Sequence, residues 1–134
     1  MQQQYKLMIK LSIEKAEKAL ISSELNLNNN LLTEVQNRAY YAVFYIVLAL
    51  AYLDNYVTGK HHKLMGWFNK KYIYENKTFD KSFGKIYGKL ISNREKFDYD
   101  VEEYPEKDQA IKDLEDAKFF VSEVKKYILE KLEL

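Results

Sequence analysis

Residues 39–53 read AYYAVFYIVLALAYL, fifteen uncharged positions bounded by Arg38 and Asp54. A membrane-spanning helix needs about 20 apolar residues, and the hydroxyls of the four tyrosines in this run would lack partners in lipid. The run therefore reads as a buried central helix, and a helix apolar nearly all round must be surrounded by others. Those others are legible on both sides. Upstream, Ile9, Ile13, Ala16 and Leu20 recur at steps of four, three and four, one helical face, so a first helix should run from about Tyr5 to about Leu25. The polar loop Asn26 to Asn30 ends it, because asparagine favours turns. Thr33, with Gln36 three residues on, has the pattern of a capping box and should open the central helix. That helix should reach about Tyr56 and close at Thr58 and Gly59, with Gly59 as the residue after the C-cap.

Downstream, a third helix should cover about His61 to Tyr74, with Leu64, Trp67/Phe68 and Lys71/Tyr72 along one side, and break at Glu75-Asn76-Lys77. A fourth should run from about Asp80 to Lys96 on Phe83, Tyr87 and Leu90, followed by an acidic, irregular stretch from Asp98 to Pro105. Pro105 suits the first turn of a fifth helix, which Ile111, Leu114, Ala117, Val121, Val124, Ile128 and Leu132 carry to about Lys131. The expectation is an all-α fold, an antiparallel bundle of four long helices plus one shorter helix, as one domain over 1–134.

Composition agrees. Hydrophobic residues make up 47% and charged residues 31% of 134 residues, a soluble globular balance. Four glycines and one proline are too few for the many turns of a sandwich or barrel, and no two of the glycines build a phosphate-cradling loop. The absence of cysteine removes disulfides, thiolate nucleophiles and Cys-based metal sites. The N-terminus lacks the basic stretch and apolar run of a signal peptide, so a cytoplasmic location is expected, with no membrane partner.

The net charge of +1 conceals a split. Residues 1–59 are neutral overall, 60–96 carry +7 and 97–134 carry −6. The basic middle also holds both histidines and the only tryptophan. Basic side chains interleaved with aromatics can bind a phosphate backbone. Alternatively these lysines solvate two helices and pair with the acidic end, within one chain or across a dimer.

Within the fourth helix the four–three rhythm continues from Leu90 to Arg94 and Phe97. A guanidinium thus occupies a place where an apolar side chain would continue the seam. A buried charge needs a partner, so Arg94 is paired, in a groove or at an interface, or it snorkels at the helix end. Its planar fork suits phosphate. Tyr99 follows just past the helix, as a hydrogen-bond donor or as packing, and Asp98 is a candidate acid–base group or salt-bridge partner to Arg94. His61 and His62 begin the third helix, about 100° apart. One of them can serve in acid–base chemistry, or both can cap and pack. No His-x-x-x-His or Glu-x-x-His occurs, so no metal and no cofactor is expected. Tyr40, Tyr41, Phe44 and Tyr45 read as core, and Arg38 should find a carboxylate or a backbone carbonyl.

Three stretches in order then resemble a known family: NRAYYAVFY (37–45), HKLMGWF (62–68) and NREKFDY (93–99). They are similar to the central helix, the H-x-x-L/I…F segment and the R-x-x-x-D-Y segment of small single-domain HEPN proteins (higher eukaryotes and prokaryotes nucleotide-binding) of bacteria and archaea. The resemblance implies a helical homodimer. It implies metal-independent ribonuclease activity at an R-x4–6-H motif in a dimer cleft. It also implies pairing with a minimal nucleotidyltransferase in a toxin–antitoxin or stress-response system, in which the partner attaches AMP to a tyrosine near the motif. On that basis Arg94, Tyr99, Asp98 and His62 are the candidate catalytic residues, and RNA or a nucleotide is the candidate ligand. The sequence departs from the motif at one place: an x4 spacing puts Tyr99 where the histidine belongs, and no histidine follows Arg94. The alternative is a helical module that binds nucleotide or protein without catalysis.

Overall fold

The computed structural model describes residues 3–132, and every regular element among them is helical. Helix α1 spans Gln3–Asn28, α2 Leu32–Leu53, α3 His61–Phe68, α4 Lys81–Tyr99 and α5 Lys107–Lys131. Between α3 and α4 the chain continues as a π-helical stretch, Asn69–Glu75. Helix α2 lies at the centre, packed by α1, α4 and α5, with α3 also against it. Its apolar run is the reason: twelve of its residues are buried, from Val35 to Ala51. The expected faces of the other helices point inward. Ile9, Ile13 and Ala16 of α1, Phe83, Tyr87, Leu90 and Phe97 of α4, and Leu114, Ala117, Val121, Val124 and Ile128 of α5 are all buried. No helix among the described residues is long and apolar enough to cross a membrane.

The helix ends correct several sequence expectations. Thr33 does not cap α2; the helix starts two residues earlier than that cap would give, the cap position is Leu31, and no side chain serves there. Gln36 is instead buried, with neither amide atom bonded to protein. What turns the chain is Asn30, at φ 62°, with Leu31 N–H donating to the Asn26 carbonyl at 2.9 Å and Asn30 N–H to that of Leu27 at 3.0 Å. This is a Schellman closure of α1. The same device ends α2: Asn55 sits at φ 60° and Tyr56 N–H donates to the Ala51 carbonyl at 2.8 Å. Gly59, expected in that place, has no positive φ. Pro105 stands just ahead of α5, outside its first turn, because Glu106 holds the cap position.

The third helix reaches the expected length by widening. Asn76 N–H donates to the Lys71 carbonyl at 2.9 Å, five residues back. A π turn brings residues five apart into line, which keeps both Phe68 and Ile73 in the core beside Leu64 and Tyr72. Gly84 of α4 permits the approach, since a Cβ there would lie 3.2 Å from both Asn69 Oδ1 and Ile73 Cδ1. Helix α4 also runs further than expected, through Tyr99. That extension places Asp98 one full turn beyond Arg94, on the same face.

Candidate active site

The polar face formed where α4, the start of α2 and the start of α3 meet collects most of the residues singled out in the sequence. Arg94 is seated, not splayed: its side chain is 12% exposed. An Nη of Arg94 donates to Tyr41 Oη at 3.0 Å. The guanidinium carbon lies 5.3 Å from the ring centres of both Tyr40 and Tyr41 and 5.7 Å from that of Tyr99. Cations gain from aromatic faces, more so when desolvated. Nε lies 3.5 Å from Asp98 Oδ2, an ion-pair contact too long for a good hydrogen bond. Asp98 is itself held: Asn37 Nδ2 donates to the same oxygen at 2.8 Å, and Arg38 Nε donates to Asn37 Oδ1 at 3.0 Å. Arg38 thus finds a side-chain amide oxygen, and no carboxylate among the described residues, where a carboxylate or backbone carbonyl was expected; its guanidinium also lies 4.9 Å from the Tyr41 ring centre.

The two histidines diverge. His62 is turned outward, 63% exposed, with Nε2 3.2 Å from Glu95 Oε2. His61 is turned in. Its ring stacks on Phe44 at 4.3 Å and on Tyr40 at 5.6 Å, and its Nδ1 lies 2.6 Å from Tyr40 Oη. Burial, and next the Arg94 charge, lower its pKa below the ordinary 6.5, so it is neutral at pH 7. Burial raises the Tyr40 phenol far above its usual range, which outweighs the opposing pull of Arg94. Tyr40 therefore stays protonated, a neutral hydrogen-bonding partner for the imidazole. Tyr99 stands at the rim, 72% exposed.

Arg94, Asp98 and Tyr99 are therefore brought together, and His62 lies beside them on Glu95, the neighbour of Arg94 in α4. Sequence reading missed Asn37, Tyr41 and the inward course of His61. The two-residue spacing of Asn37 and Ala39 around Arg38 carries no signal, but Tyr41 follows Asn37 by four, one helical turn, and that register could have flagged the pair. Among the described residues no three His, Asp or Glu side chains converge as metal ligands do. An apolar groove of about 370 Å³ between α1 and the end of α5, lined by Ile9, Ile13 and Leu129 among others, lies apart from this polar cluster.

A family model described as the HEPN domain matches residues 9–127. The chain belongs to the HEPN family. HEPN relatives match it over most of their length. One from Methanocaldococcus jannaschii, named as a candidate toxin, is 30% identical over 131 residues, covering 98% of this chain and 88% of the relative. A second candidate toxin from the same organism is 30% identical over 122 residues, 91% and 90% of the two chains. A relative from Thermotoga maritima, whose name states no activity, is 31% identical over 116 residues, 85% and 86%.

Proposed function

We propose that this HEPN protein is a toxin of a toxin–antitoxin or stress-response pair, acting as a homodimer that cleaves single-stranded RNA without a metal and is restrained by a nucleotidyltransferase partner. The observation that carries the reading is the seat of Arg94: a guanidinium held at the surface by three phenols and one strapped carboxylate, with a neutral imidazole beside the same rings.

In this reading the RNA 2′-hydroxyl attacks the adjacent phosphorus, a new O2′–P bond forms and the P–O5′ bond breaks. The 2′-hydroxyl proton passes to Nε2 of His61, whose Nδ1–H then donates to the Tyr40 oxygen. Arg94 offsets the negative charge that grows on the phosphoryl oxygens. The Tyr99 phenol protonates the departing 5′-oxygen and regains its proton from water. Asp98 and Asn37 hold Arg94 in place. The exposed Tyr99 hydroxyl is also the acceptor that an AMP-transferring partner would modify, which would block the site. A purified sample incubated with an oligoribonucleotide in chelator should yield fragments ending in a 2′,3′-cyclic phosphate, and the matching oligodeoxynucleotide should survive. Cleavage of both, or of neither, contradicts the mechanism.

One observation favours a second reading. Tyr99 occupies the x4 place after Arg94, with no histidine on that segment. A site that binds phosphate without cutting accounts for this departure, and it predicts salt-dependent RNA binding with intact RNA recovered.

A further inference from the structure

Beside this site, on the α1–α2 face, a depression of about 340 Å³ is lined by Lys15, Lys18, Ala19, Ser22, Arg38 and Tyr45. Three of the six are cations, none is acidic, and among the described residues none of the three forms an ion pair. The carboxylates next to the two lysines in sequence are turned elsewhere. Glu14 and Glu17 line the opposite groove, and Glu17 is taken by Lys125 at 2.8 Å. Clustering like charges without counter-charge is unfavourable in the free protein and favourable once an anion enters.

The cations also alternate with aromatic rings. Lys15 Nζ lies 5.3 Å from the Tyr45 ring centre. The Tyr45 and Tyr41 rings are 6.0 Å apart. Tyr41 then carries Arg38 at 4.9 Å and Arg94 at 5.3 Å. A continuous line of lysine, phenol, phenol and two arginines thus joins the depression to the proposed reaction centre. Cations for phosphates beside partly exposed rings for bases are the elements of single-strand recognition. Duplex RNA, with its bases stacked inside, offers them no ring contact.

We infer that the Lys15–Lys18–Arg38 depression is a phosphate subsite for single-stranded RNA, holding the strand that leads to Arg94. The inference rests on the reading of Arg94 as a phosphate ligand for the strand's direction only. The probe is a labelled single-stranded 2′-O-methyl oligouridylate of about ten nucleotides, which lacks the 2′-hydroxyl the proposed cleavage needs, titrated across a salt series. Lys15→Gln/Lys18→Gln and Arg94→Gln are compared with the wild type. Both lysines are exposed, and helix content by circular dichroism checks that the variants fold. Each phosphate contact adds about 0.7 to the slope of log affinity against log salt for single strands, so the double variant should lose about 1.4 and Arg94→Gln about 0.7. An unchanged slope in the double variant overturns the subsite and leaves Arg94 standing. A loss in the double variant with none in Arg94→Gln upholds the subsite and overturns the role of Arg94. Wild-type binding without salt dependence overturns both. Polyglutamate competing as well as RNA at equal charge, or a duplex binding as tightly as the single strand, overturns the assignment to single-stranded RNA.

Discussion

At the scale of single residues, the account turns on which of two adjacent imidazoles meets the arginine. His61 packs against Phe44 and Tyr40, and His62 pairs with Glu95 at the rim. If His61 accepts the 2′-hydroxyl proton, the active form carries a neutral ring. The rate should then fall as acidity protonates His61, with a midpoint below 6.5 because burial and Arg94 depress that pKa. A pH–rate profile checks it, and a rate that rises toward acid would assign the titration to another group. His61→Asn should lower the rate by about 10²-fold or more, while His62→Asn leaves it nearly unchanged; the reverse order would move the base to His62. Sequence left Asp98, Tyr99 and one of these imidazoles open as acid–base groups, and the family resemblance pointed to His62. Consecutive helical residues point about 100° apart, and the choice between them is made by an aromatic pocket whose walls come from α2. The out-of-place Arg94, by contrast, was legible, because the stripe it interrupts belongs to its own helix.

At the scale of elements, the local rules worked where the helix itself supplies the pattern and failed where the turn does. The faces of α1, α2, α4 and α5 follow from spacing alone. The ends follow only in part: Asn30, within the polar loop expected to end α1, closes that helix in the left-handed region, but α2 opens without its expected threonine cap and is closed by Asn55, where a glycine was the stronger sequence signal. Left-handed backbone costs a residue with a Cβ roughly 1–2 kcal/mol, and asparagine less than most. Asn55→Ala should therefore destabilise the fold by about 1 kcal/mol, and Asn55→Gly should be neutral or slightly stabilising. Urea denaturation measures both, and an alanine variant as stable as the wild type would show that the Asn55 turn relaxes. The π stretch was hidden for a related reason. Its stripe reads as an ordinary helix, and the fifth-residue bond answers to the close passage of Gly84 in the following helix.

At the scale of the whole molecule, the charge split is only partly consumed within the chain. Of the basic middle segment, Lys89 reaches α5, at 2.9 Å from Asp113 and 2.6 Å from Asp116, and Lys96 lies 3.7 Å from Glu103 in the connecting loop. Lys60, Lys63, Lys70, Lys77, Lys81 and Lys85 form no ion pair among the described residues. Exposed ion pairs contribute only about 0–1 kcal/mol each, so charge alone is a weak glue for the proposed homodimer. Its mass, twice the 16.0 kDa chain, should persist in about 1 M salt, where the screening length falls to about 3 Å. Sedimentation equilibrium at low and high salt tests this. Dissociation on adding salt would mean that the opposite charges hold the assembly, and a single-chain mass at low salt would contradict the homodimer.

The most direct measurement is the rate of oligoribonucleotide cleavage in chelator by wild type and Arg94→Ala, with both shown to be folded. Wild type should cut, and the variant should be slower by about 10²–10³-fold, the loss typical of removing one donor to a developing oxyanion. Equal rates for the two proteins would contradict the account.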